Sequence, residues 1–175
     1  MSTEKIARIC WNDNNWRYPS GCSGKSKNAN SFEFDNGFGL EEWNFDLDKN
    51  IGGYKYGFLQ QFNLKTDLHK GNIYDIYFYS IERINSYRNK KWWLGGIDSI
   101  EIISDEESER VINIYKENGW FSEMLSDLKK LDLDNKALKD HRINKTFNIR
   151  YRIQNMHLLN DPFELKEPSE IISSY

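Results

Sequence analysis

The segment Thr146 to Met156 constrains the fold more than any other part of the chain. Phe147, Ile149, Tyr151 and Ile153 alternate there with Thr146, Asn148, Arg150, Arg152 and Gln154. A period of two gives one apolar and one polar face only when the backbone is extended. The spacing predicts a strand over 146–156 with those four apolar residues in the core, because a slip of one residue would carry both arginines inside. Such a strand needs partners. Ile6 to Trp11 is short and β-branched. Tyr54 to Phe62 places Tyr54, Tyr56, Phe58 and Phe62 on one face. Ile73 to Ile81 is apolar and aromatic on both faces, and Lys91 to Ile103 reads as a further strand in which Gly95-Gly96 predicts a bulge or close backbone approach.

Between the strands lies a helical pattern. Ser104 precedes Asp105, Glu106 and Glu107, an N-cap followed by acids in the first turn. Val111, Ile114, Tyr115, Phe121, Met124, Leu125, Leu128 and Leu131 then recur at helical spacing, interrupted near Gly119. The order of elements predicts an α+β fold, a small and strongly curved β-sheet or barrel with helices at one end. With 175 residues, of which 38% are hydrophobic and 15% aromatic, the chain is long enough for one self-sufficient core. No repeat or internal boundary divides it, so a single domain over 1–175 is expected, with a frayed tail over 163–175.

Residues 12–36 carry neither period. Asn, Ser, Gly and Lys dominate, with Pro19 among them. Irregular stretches of this length inside a compact domain are functional or disordered. Trp16, Arg17, Tyr18 and Phe32 make an ordered, site-forming loop the better reading. Trp11, Trp16 and Trp43 flank it, with Asn12 and Asn14 between the first two. Indole faces stack flat π-systems and Asn amides pair with base edges, so Trp11, Asn12, Asn14, Trp16 and Trp43 are the candidate base-binding residues. Trp16, with polar neighbours, is the one expected to lie outside the core. Trp92 and Trp93 are adjacent in a strand and must face opposite ways.

Charge is uneven. The net charge is −3, yet residues 98–110 hold six acids against one arginine. Residues 136–152 hold six lysines and arginines, Lys145, Arg150 and Arg152 among them, against Asp140. This permits a basic face on an acidic protein. Arg17, Lys25, Ser26, Lys145, Arg150 and Arg152 are the candidate phosphate contacts.

Catalytic signatures are weak. Gly21-Cys22-Ser23-Gly24-Lys25-Ser26 has two residues where a P-loop needs four, and no helical pattern follows. His69, His141 and His157 are scattered, Cys10 and Cys22 form no metal or disulfide framework, and Glu164-Leu165-Lys166 lies in what reads as a Pro-flanked tail. No catalytic residue, metal or cofactor is assigned. No apolar run reaches membrane-spanning length. The charged Met1 to Arg8 lacks a signal core, so a reducing, cytoplasmic setting is expected.

Ile9-Cys10-Trp11-Asn12, Trp16-Arg17-x-Pro19-Ser20-Gly21, Gly24-Lys25-Ser26 and Gly37-Phe38-Gly39-x-Glu41-Glu42-Trp43-Asn44-Phe45 together resemble a bacterial module of modification-dependent restriction systems of the McrB and HNH-nuclease kind. Tyr74 to Tyr79 and Trp93 to Ile97 resemble paired strands of PUA-like folds, the group containing EVE and YTH readers. The resemblance covers roughly residues 6–103. It implies a small β-barrel whose aromatic cage, with Trp16 and Trp43 as walls and Asn12 and Asn14 as edge readers, holds an extruded modified base of DNA, or alternatively of RNA. It further implies a nuclease or motor partner as effector. The rival classes are an enzyme or sensor binding a nucleotide or small ligand in the same pocket, and a protein-interaction subunit whose exposed aromatics are its contacts.

Overall fold

The computed structural model describes residues 3–63, 66–140 and 146–166. Among them one sheet is built from β1 (Thr3–Ile9), β2 (Asn50–Ile51), β3 (Tyr54–Gly57), β4 (Ile73–Arg83), β5 (Asn89–Ile102), β6 (Ile149–Arg152) and β7 (Met156–Leu165). Its order is β1-β4-β5-β6-β3-β2, with β7 also on β5. β1 runs parallel to β4, and the other pairings are antiparallel. The fold class is α+β, as the order of elements predicts. The strand path ends at β1 and β2, which do not pair with each other, so the sheet is open rather than closed into a barrel.

β5 organises the sheet because its 14 residues are long enough to serve two neighbours on one side. Lys91 to Ile97 face β7, whereas Glu101 and Ile102 face β6. The predicted irregularity falls at Gly95, where the β4 and β7 registers both shift. Gly95 has φ +95°, and a Cβ there would stand 2.5 Å from the carbonyl oxygen of His157. Only glycine permits so close a backbone approach.

Tyr74, Ile76, Phe78 and Ser80 of β4 point into the core. The opposite face of β4 is not buried: Tyr77 and Tyr79 are half-exposed, and Tyr77 stacks on Trp93 at 6.0 Å and 17°. Trp92 turns the other way, packs on the core and meets Trp11 at 6.1 Å. The adjacent tryptophans thus divide as strand geometry demands.

Two expected strands are shorter than their patterns. The 146–156 strand begins at Ile149 and stops at Arg152, where a 3-10 turn over Ile153–Asn155 reverses the chain into β7. Phe147, Ile149 and Tyr151 are buried, but Ile153 is half-exposed. Asn148, expected on the polar face, is buried: its amide accepts from the Leu59 N–H at 2.8 Å and donates to the Leu59 carbonyl at 2.9 Å. Asn44 brackets Phe58 in the same way. These amides satisfy backbone groups that a strand neighbour would otherwise take, so the 54–62 strand ends at Gly57. The short helices α2 (Gln60–Asn63) and α3 (Thr66–His69) follow, α1 (Phe32–Asn36) lying earlier at the end of the 12–36 loop.

α4 (Asp105–Glu117) starts at the predicted Ser104 cap, whose hydroxyl accepts from the Glu107 N–H. Gly119, at φ +76°, separates it from α5 (Trp120–Lys130). Val111, Ile112, Tyr115, Met124 and Leu128 pack with Phe38, Trp43 and Phe147 into a second core beside the one under the sheet. The expected fray beyond 163 is replaced by strand as far as Leu165, in which Glu164 pairs with Lys90 at 3.4 Å. Residues 167–175 lie outside the described segments. No helix among the described residues is long and apolar enough to cross a membrane.

Candidate functional site

The 12–36 loop is ordered by a buried polar framework. The Asn12 side chain accepts from the N–H groups of Asn14 and Trp16 and donates to the Tyr18 carbonyl and to Glu42. Glu42 stands in a 3-10 turn over Leu40–Trp43 and is fully buried. Its Oε1 accepts from Asn12 and the Ser20 N–H and meets Lys25 Nζ at 2.9 Å. Its Oε2 accepts from the Gly39 N–H. Lys25 also donates to Ser20 Oγ and the Gly21 carbonyl. A buried carboxylate requires such a partnered environment, and its ligands come from both sides of the loop. The neighbouring Glu41 accepts from the Cys10 and Gln60 N–H groups, and burial pushes its carboxyl up to about 7.

This framework corrects several expectations. Trp16 is 4% exposed, and its Nε1 donates to the Cys10 carbonyl at 2.7 Å. It belongs to the core under the sheet, because Asn12 folds the loop inward at this point. Asn12 is 3% exposed and has its amide groups engaged by the loop backbone and by Glu42, so none points outward as expected of an edge reader. Trp43 is buried in the second core, with Nε1 donating to Asp127 on α5. Trp16 and Trp43 therefore do not face each other across a cage. Lys25 is consumed by Glu42 and is not a free phosphate donor. Asn14 is half-buried and donates to the Pro19 carbonyl. Trp11 is half-buried, meets Trp16 edge-on at 6.2 Å, and donates from Nε1 to Asp13.

Arg150 is also committed. It meets Glu101 at 2.5 Å and Glu107 at 2.7 Å, which neutralise it. Arg150 and Arg152 both stack on Tyr54, at 4.9 and 4.3 Å from its ring centre. Arg152 is exposed. Lys145 lies outside the described residues. Within these two stretches Arg150 is thus paired with Glu101 and Glu107 of the acidic 98–110 run, and that part of the expected basic face cancels internally.

What the loop does build is a cleft of about 410 Å³ between its Asn15-Trp16-Arg17 turn, the Phe45–Asp48 segment and β7. Trp16, Phe45, Leu94 and Leu158 supply apolar wall, and Asn15 and Asn160 supply amides at the opening. Asn15 and Trp16 both take left-handed backbone, at φ 53° and 54°, a conformation that asparagine adopts readily but that is costly for tryptophan. Three hydrogen bonds hold Trp16 there: two from its own N–H groups, to Asn12 and Cys10, and one from the Phe45 N–H to its carbonyl. Arg17 stands at the rim and pairs with Asp48 at 3.1 Å, both well exposed.

Sequence reasoning located the loop but missed Phe45 as a wall, β7 as the opposite side, and the Glu41-Glu42 pair as the brace. Two acids between Leu40 and Trp43 in an apolar turn were the available signal. Among the described residues no group of three His, Cys, Asp or Glu side chains is placed to hold a metal ion. Comparison with protein-family models, with curated proteins and with solved structures finds no match to this chain.

Proposed function

We propose that this protein is a non-enzymatic reader of modified nucleic acid, admitting an extruded base to the cleft between the 12–36 loop and β7. The observation that carries the reading is the cleft itself: about 410 Å³, walled by fixed aromatic and aliphatic side chains, with amides of Asn15 and Asn160 at its mouth. That size suits a nucleoside, and a few polar groups on an apolar wall suit recognition of a flat heterocycle. Arg17, held only by an exposed ion pair, is free to exchange Asp48 for a phosphate. In this reading the open sheet with β7 folded against β5 is a PUA-like architecture. The effector is a nuclease or motor protein in a cytoplasmic bacterial defence system.

An electrophoretic shift panel across modified and unmodified oligonucleotides, at two salt concentrations, tests it. Preferential retention of one modified strand, weakening with salt, is expected. Equal affinity for every oligonucleotide, or binding of free nucleosides alone, would overturn it in favour of a small-ligand sensor.

A further inference from the structure

A second and smaller cavity is lined in part by Trp11, which does not line the cleft described above. We propose that it is a binding site for a tetrahedral oxyanion, a phosphate group, held by Arg8, Arg83 and Ser26. The cavity encloses about 150 Å³, and Asn89, Lys25 and Glu33 complete the polar part of its lining. Lys25 is neutralised by Glu42, so the two arginines against Glu33 leave the lining with a net positive charge. Among the described residues neither arginine has a carboxylate within ion-pair distance, unlike Arg17, Arg110 and Arg150. Arg83 Nε is sealed from solvent with no hydrogen-bond partner. A buried guanidinium N–H without an acceptor is costly and calls for an explanation. Nε itself is out of reach of a ligand oxygen, but Arg83 lines the cavity, where its guanidinium fork matches two phosphate oxygens and the anion's charge offsets the cost of burying the cation.

Topology points the same way. β1 and β4 are the parallel pair, and Arg8 and Arg83 stand at or near their carboxyl ends. The parallel register brings those two strand ends to the same edge of the sheet, where both residues line one cavity. The loop is tied to this spot by the Arg83 N–H, which donates to the Gly24 carbonyl at 2.8 Å. Gly24 itself presses on the Trp11 ring, where a Cβ would stand 2.1 Å away. Ser26 Oγ accepts from the Asn28 N–H, which leaves its own proton to donate.

This proposal does not depend on the base-reading cleft. Its chemistry fits a free phosphate or nucleotide and equally a phosphodiester of a polynucleotide. The test is thermal melting with inorganic phosphate at constant ionic strength, on wild type, Arg83→Gln and Arg83→Lys. Millimolar phosphate should raise the wild-type midpoint by several degrees, shift Arg83→Lys less, and leave Arg83→Gln unmoved. Arg8→Gln, an exposed change, should also lose the shift and serves should Arg83→Gln misfold. Equal shifts in wild type and variants, or none in wild type, would overturn the proposal. Displacement of phosphate by a 5′-mononucleotide but not by an oligonucleotide with unphosphorylated ends assigns the site to free phosphate groups, and displacement by both assigns it to a strand. Phosphate binding with no oligonucleotide preference would keep this site and defeat the base-reading proposal.

Discussion

Lys25 and Glu42 form an ion pair of 2.9 Å whose side chains are 1% and 0% exposed. The pair joins two segments that sequence reading treats separately, the irregular loop and the Gly37-to-Phe45 motif. Removing one partner leaves the other charged and buried, which costs about 3–5 kcal/mol. Lys25→Met should therefore lose that much in a denaturant titration. Adding Glu42→Gln to Lys25→Met should cost much less than Glu42→Gln does alone. Strictly additive losses would show that the two charges do not depend on each other.

Trp16→Ala should destabilise the fold by about 3–5 kcal/mol, as truncation of a core aromatic does. A loop side chain outside the core would cost little. Thermal melting decides between these outcomes, and an unchanged midpoint would contradict the burial of Trp16 under the sheet.

Arg150→Gln should leave the salt dependence of nucleic-acid binding unaltered, because Glu101 and Glu107 already neutralise this arginine. Arg17→Gln should lower the slope by about 1, the signature of one lost phosphate contact. Affinities measured across a salt series separate the two.

The α+β succession of elements along the chain, the capped helix and the opposite orientations of Trp92 and Trp93 were legible because each follows from local periodicity. The order of strands in the sheet was not, and neither was the site. Asn12, Asn44 and Asn148 look like surface amides, yet Asn44 and Asn148 bracket backbone groups distant in sequence and Asn12 reaches the buried Glu42, 30 positions away. Lys25 looks like a free cation until Glu42 is folded against it. Arg150 reads as part of a basic face because Glu101 and Glu107, more than 40 positions away, are invisible to pattern. Polar groups buried by tertiary pairing carry no periodicity of their own.

Lys55 supplies a pH test. It is fully buried, its Nζ donates to the Tyr115 hydroxyl at 3.1 Å, and burial pulls its amine down to about 7. Its folded pKa lies below the unfolded value, so between pH 7 and about 10 the unfolded chain binds more protons. Stability from this group therefore rises with pH through that window and is lost below it, by at most roughly 1.4 kcal/mol per pH unit. Lys55→Met should flatten the rise between pH 7 and about 9 relative to wild type. Parallel stability profiles for the two proteins would contradict a neutral buried amine.

The central claim is that the cleft beside Trp16 and β7 receives the base. Leu159 lines it and is 40% exposed, so Leu159→Trp fills the opening without disturbing the core. The direct measurement is the equilibrium affinity of this variant and of wild type for the modified oligonucleotide that wild type retains best, with melting points taken on the same samples. The account predicts at least a tenfold loss of affinity at an unchanged melting point. Unchanged affinity in a folded variant would place the nucleic acid elsewhere and contradict it.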